Sequence, residues 1–133
     1  MSELLTTYQL TSYSWGALTL LLILQILIAD LIGIKSRHTP GSPVETNHNN
    51  LLFRATRTVA NTNESIAVYV FAVLFCLFQG ADPGYTAVLS WAYVAGRTAY
   101  AVCYYFNQQT LRSISFGFSL LVLIALLING FAF

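Results

Sequence analysis

The chain has 133 residues, of which 56% are hydrophobic and only 8% charged, against roughly 25% charged in an average soluble domain, so an ordinary water-soluble fold is excluded. A formal net charge of +1 leaves no basic excess to neutralise phosphates, which argues against a nucleic-acid partner. The two cysteines, Cys76 and Cys103, both stand in apolar stretches, as buried small hydrophobes do, rather than in a disulfide framework.

This length accommodates one domain over residues 1–133 with about four spanning helices of some 20 residues each. The first span covers residues 13–34 and carries ALTLLLILQILIADLIGI, too long and too poor in small-residue cleavage context for a signal peptide. Lys35, Ser36, Arg37 and His38 end it, and Pro40, Gly41 and Pro43 mark the following TPGSPVETNHNN as a loop. His38, Glu45 and His48 in that loop have no cysteine partner and no zinc-type spacing, so no metal site is expected. The second span covers residues 50–79 and ends in the hairpin Gly80-Ala81-Asp82-Pro83-Gly84. The third covers 85–106, and after a polar turn the last, rich in Leu, Ile and Phe, covers 111–132. The expected fold is all-α, an integral membrane four-helix antiparallel bundle. Lys35, Arg37, Arg54 and Arg112 fall on one side and Glu3 and Asp82 on the other. By the positive-inside rule the loops after the first and third spans are then cytoplasmic and both termini lie outside. Compact loops and short termini point to a multi-pass protein of a bacterial inner membrane.

Two polar stripes interrupt this apolar chain. In LLFRATRTVANTNESIAVYVF, the residues Arg54, Arg57, Asn61 and Glu64 fall within an arc of about 80° on an α-helix. A charge at mid-bilayer costs on the order of 3 kcal/mol, so such a stripe must face partners, water or a ligand. The third span supplies Tyr93, Arg97, Tyr100, Tyr104 and Asn107 at steps of four, three, four and three, again one helical face. Tyr85, Tyr104 and Tyr105 fit an interfacial aromatic belt equally well. An Arg97–Glu64 ion pair between neighbouring helices would satisfy both charges with no ligand at all.

Arg57, Asn61 and Glu64 have the spacing Arg-x-x-x-Asn-x-x-Glu, preceded by Arg54, near the start of the second of four helices, and the Tyr-rich third span leads into Leu111-Arg112-Ser113. In these motifs, and over most of its length, the chain resembles the membrane-associated proteins in eicosanoid and glutathione metabolism (MAPEG). That family includes microsomal glutathione transferases, leukotriene C4 synthase and microsomal prostaglandin E synthase. The resemblance implies a homotrimer of four-helix subunits with glutathione as co-substrate between adjacent subunits, toward the cytoplasmic side. Residue by residue, it implies glutathione binding by Arg57, Asn61 and Glu64, and contacts from Tyr100 and Tyr104. Arg97 stands at the centre of the tyrosine stripe. Arg112 matches the arginine that activates the thiol, and Arg37 is the nearest match to a basic residue after the first helix. One departure is Thr58, which occupies the place where members commonly have Ala. An Arg-Ala pair occurs instead at Arg54-Ala55, but only Arg57 keeps Asn and Glu at the required offsets. In a trimer, Gln25 would be an interhelical hydrogen-bond residue at the interface. Asp30 is a candidate to cap a neighbouring helix, to pair with Arg54 or Lys35, or to contribute to the site.

The residue types suit the same chemistry. Glutathione carries two carboxylates, an ammonium and a thiol; Arg57 has the planar fork for a carboxylate, Glu64 the anion for the amine, and Asn61 both donor and acceptor. A cation or donor near sulfur favours the thiolate, with Arg112 first and Tyr104 second in that role. The expected activity is a glutathione-dependent transferase or peroxidase acting on a lipophilic small-molecule substrate, an electrophile or a lipid hydroperoxide drawn from the lipid bilayer. The alternative is a non-catalytic scaffold or accessory subunit of a larger membrane complex, its stripes paired internally. A channel or transporter is disfavoured by spans without helix breaks.

Overall fold

The computed structural model describes residues 1–132. A short helix α1 (Ser2–Thr7) runs through Tyr8 into α2 (Gln9–Lys35), and α3 (Leu51–Gln79), α4 (Pro83–Tyr105) and α5 (Gln109–Phe131) follow. Local chemistry sets the ends. Asn50 caps α3 by accepting a hydrogen bond from the Leu52 amide at 3.0 Å. Gly80, at φ 68°, ends it in the left-handed region, where the Gly80 and Ala81 amides turn back to the carbonyls of Leu77 and Cys76. Asp82 then caps α4 through the Tyr85 amide at 2.6 Å, with Pro83 in the first turn. Asn107 leaves α4 at φ 56°, while the Gln108 amide reaches the Cys103 carbonyl at 2.8 Å. The expected stripe from Tyr93 to Asn107 therefore stops at Tyr104, because the last member lies past the helix end.

The four long helices alternate in direction. At one end the Tyr8 hydroxyl donates to the Ala81 carbonyl, Trp91 Nε1 donates to the Leu10 carbonyl at 3.0 Å, and Asn129 Nδ2 donates to Thr86 Oγ1 at 3.0 Å. At the other, Arg54 of α3 donates to the Tyr105 carbonyl that closes α4. Helices α2, α3 and α5 are long and apolar enough to cross a membrane. Helix α4 is as long as α5, at 23 residues, but is less apolar, because it keeps Thr86, Ser90, Tyr93 and Arg97 on its buried side. Around the outside, Leu20, Leu31, Phe71, Phe78, Leu121 and Ile128 are exposed apolar side chains that a lipid bilayer covers.

The core joins Leu18 of α2, Tyr69, Val73 and Cys76 of α3, Tyr93 of α4 and Leu126 of α5. The Tyr69 and Tyr93 rings stack at 4.3 Å. Their hydroxyls share hydrogen bonds with Ser14 at 2.7 Å and Ser65 at 2.6 Å, which ties α2, α3 and α4 to one register. Interhelical bonds of this kind contribute about 0.6 kcal/mol each in a membrane. Gln25 is 1% exposed, so it faces the interior of its own bundle rather than the interface between copies expected for it.

Close approach of α4 and α5 depends on Gly96. A Cβ there would lie 3.0 Å from the Phe118 ring and closer still to Ser119 Oγ. Small residues permit such contact between membrane helices, and overpacking costs about 1–3 kcal/mol. Gly96→Leu is expected to lower the melting midpoint in detergent by roughly 5 °C or more. An unchanged midpoint would show that the two helices are not in contact there.

Candidate functional site

Four residues of α4 lie about one turn apart on its inner face: Tyr93, Arg97, Tyr100 and Tyr104, each no more than 5% exposed. Their burial removes Tyr104 from the interfacial belt. Tyr85, at 51% exposed, keeps a position suited to one. The Arg97 guanidinium lies over the Tyr100 ring, 4.4 Å from its centroid, and Nη2 donates to Asn61 Oδ1 of α3. Asn61 Nδ2 in turn donates to Glu64 Oε2 at 3.5 Å, and Glu64 pairs with Arg57 at 3.6 Å. The direct Arg97–Glu64 pair that would have satisfied both charges without a ligand is therefore replaced by a relay. Asn61 is buried on the side facing α4, whereas Glu64, almost a turn further along, points outward and is about half exposed. Arg57–Glu64 is the only ion pair among the described residues.

A second group adjoins the first at Tyr100. The Tyr104 ring meets Tyr100 edge-on at 5.6 Å, and the Arg112 guanidinium, from the start of α5, lies over Tyr104 at 4.5 Å. The His48 ring lies nearly parallel to Tyr104, at 11° and 6.1 Å between centroids, and its Nε2 stands 3.4 Å from the tyrosine hydroxyl. Arg54 explains how this loop residue arrives there, since Nη1 donates to the His48 carbonyl at 2.7 Å while Nη2 donates to the Tyr105 carbonyl at 3.3 Å. Arg54 thus leaves the stripe it was expected to share with Arg57: its charge ties the loop and the end of α4 to α3. Thr58 is fully buried and donates to the Arg54 carbonyl at 2.8 Å. The hydroxyl introduced at this position is therefore absorbed inside the helix, and Arg57 stays on the open side.

Asn61, Glu64, Arg97, Phe116 and Ser119 border a cavity of about 240 Å³ between α3 and α5. Past Val68, Leu120 and Leu123 the groove continues into an apolar cavity of about 510 Å³ lined by Phe71, Phe75 and Leu127. A polar head and an apolar foot thus share one groove on the outside of the bundle.

Other candidates stand apart. Arg37 follows the end of α2 at φ 55°, exposed and with no side-chain hydrogen bond or ion pair among the described residues. Asp30 is exposed and unpaired among the described residues, at a separate cavity beneath the loop that also takes in His38. Ser42 Oγ shares a hydrogen bond with His38 Nε2 at 3.1 Å, so the two histidines are engaged in different places. Both cysteines are free, and Cys76 Sγ donates to the Leu126 carbonyl at 3.1 Å. The sequence reading missed His48, because a loop side chain has no helical periodicity to place it. The one available signal was its position two residues before the Asn50 cap.

Arginines, an amide, a carboxylate and phenols set along one groove can bind a small molecule carrying both carboxylate and ammonium groups and hold a further anion near Arg112. The model of the MAPEG family matches residues 11–132. No curated protein matches the chain. With a four-helix membrane bundle underlying a match of nearly its whole length, the chain belongs to the MAPEG family.

Proposed function

We propose that this protein is a membrane glutathione-dependent transferase or peroxidase that works as a homotrimer on lipophilic electrophiles or lipid hydroperoxides. The observation that carries the reading is the unbroken run from Arg57 and Glu64 through Asn61, Arg97 and Tyr100 to Tyr104 and Arg112. It supplies opposite charges at one end and a cation beside a phenol at the other. Arg57 takes a carboxylate and Glu64 the ammonium of glutathione, exchanging their mutual pair for the ligand. Arg97 holds Asn61 in place between them. Arg112 and Tyr104 stabilise the thiolate, which attacks an electrophile arriving along the apolar part of the groove.

Arg57 and Glu64 are 41% and 59% exposed on the outside of one subunit, so a second copy completes the site, and Arg37 enters it only from that neighbour. Every Lys and Arg except Arg97 stands at or near the end bearing the 36–50 loop, and the positive-inside rule places that end in the cytoplasm.

Glutathione titration of the detergent-solubilised protein by calorimetry, with the ultraviolet thiolate band recorded on the same sample, tests the proposal. Saturable binding with a thiolate signal supports it. A folded trimer that binds nothing supports the scaffold reading, which the internal Arg57–Glu64 and Arg97–Asn61 contacts favour. A half-exposed ion pair contributes only about 0–1 kcal/mol to stability, whereas hydrogen bonds to a charged group contribute about 1.5–3 kcal/mol. Arg57→Ala is therefore expected to weaken glutathione binding by roughly tenfold or more with little change in melting midpoint. Unchanged affinity in a folded Arg57→Ala trimer would remove Arg57 from the site.

A further inference from the structure

We infer that His48 is a positioning residue of this site, which orients the hydroxyl of Tyr104 toward the reacting sulfur. The inference rests on the glutathione reading above and adds a residue from outside the helical stripes. Among the described residues, the His48 ring is the hydrogen-bond partner of the Tyr104 hydroxyl, at 3.4 Å. The Tyr104 ring also carries the Arg112 guanidinium at 4.5 Å. A phenol has one proton and a rotatable O–H, so whichever group engages it decides where that proton points.

The ring is held from several directions. Its backbone carbonyl accepts from Arg54 Nη1 at 2.7 Å, its edge meets Phe53 at 5.0 Å, and its face lies 11° from parallel with Tyr104. Arg54 spends its charge on this arrangement, since its other amino group holds the end of α4 through the Tyr105 carbonyl at 3.3 Å. One arginine thus sets both the height of His48 and the end of the helix that bears Tyr104. Stacking alone would require no nitrogen at the rim of the ring beside the hydroxyl.

The chemical consequence depends on which partner donates. When Nε2 carries a proton it donates to the tyrosine oxygen, and the phenolic O–H is free to point to sulfur and stabilise a thiolate. When Nε2 is bare it accepts a hydrogen bond from the phenolic O–H and the tyrosine turns a lone pair to the thiol, so that as the thiol proton passes to the phenolic oxygen the phenolic proton passes on to Nε2. In both cases the hydroxyl has a fixed direction, and the ordering cost is met before glutathione arrives.

Three variants separate positioning from packing. His48→Gln keeps a hydrogen-bonding group, His48→Phe keeps the ring and its stacking without nitrogen, and His48→Leu keeps neither. Glutathione affinity by calorimetry, the thiolate band, and kcat and KM with chlorodinitrobenzene as electrophile are measured on detergent-solubilised trimers with matched melting midpoints. The inference expects glutathione affinity within about twofold of the parent in all three. It also expects thiolate signal and kcat to fall about tenfold in His48→Phe and His48→Leu and to be largely restored in His48→Gln. A His48→Phe protein with parental kcat and thiolate band overturns it, as do equal losses in His48→Phe and His48→Gln. An unmodified protein that neither binds glutathione nor shows a thiolate removes the glutathione reading, and with it this inference. Parental binding and thiolate alongside an indifferent His48→Phe remove the inference alone.

Discussion

Arg112→Leu is expected to abolish most of the thiolate signal and to lower kcat about a hundredfold or more, with glutathione still bound. Loss of one donor at a developing anion costs on the order of 10²- to 10³-fold in rate, and without a nearby cation a thiol ionises near its ordinary pKa of about 8.5. The structure also separates this effect from unfolding. Arg112 stands at the end of the first turn of α5, where the helix dipole opposes a cation by about 0.3–1 kcal/mol, and no acidic residue in that turn relieves it. Its guanidinium lies over Tyr104 and has no ion pair among the described residues. The fold gains little from this charge, so the melting midpoint of Arg112→Leu should hold or rise. Titrating the ultraviolet band against pH in the parent and in Arg112→Leu is the decisive measurement, and coincident curves would remove Arg112 from the chemistry.

The second large effect is expected at Arg97, where the two readings of the protein diverge. Arg97 is 1% exposed, donates to a neutral amide, and has an Nε without a partner among the described residues. Its contact with the Tyr100 ring offsets only part of the desolvation, which is several kcal/mol for a buried ion. Replacing it by methionine strands the Asn61 carbonyl, at about 1–3 kcal/mol, but also withdraws an under-compensated charge from the interior. Arg97→Met should therefore keep or improve thermal stability while weakening glutathione binding by roughly tenfold to a hundredfold, because Asn61 and through it Glu64 lose their anchor. The scaffold reading predicts the opposite pattern: a lower melting midpoint and no ligand to lose. Melting and calorimetry on one preparation of Arg97→Met distinguish them.

Much of this was legible in the chain itself, for identifiable reasons. Long apolar runs interrupted by Asn50, Gly80, Asp82 and Pro83 locate the helices, since capping and chain reversal are local chemistry. Steps of three and four also placed Tyr93, Arg97, Tyr100 and Tyr104 on one face, which the bundle buries. Rotation of one helix against another is not local, and the reading weakened there. Periodicity put Arg54 with Arg57, yet Arg54 turns to two backbone carbonyls. It also left open a direct Arg97–Glu64 pair, although the shorter, buried Asn61 is the residue that meets Arg97. Gln25 was assigned to a contact between subunits, whereas the packing of α2 on its own bundle encloses it. His48 depends on a loop whose course is fixed only once α3 and α4 are side by side.

The modest apolarity of α4 bears on how the protein is made. Alone, this helix would carry Arg97 and a row of hydroxyl groups into hydrocarbon, where each polar group without a partner is penalised. Its partners are Asn61 and Ser65 on α3, Thr86 is met by Asn129 near the end of α5, and Ser119 of α5 packs against Gly96. Insertion of α4 is therefore expected to depend on the helices on either side of it. In a nascent chain cut before α5, α2 and α3 should still insert, while α4 should span the bilayer poorly.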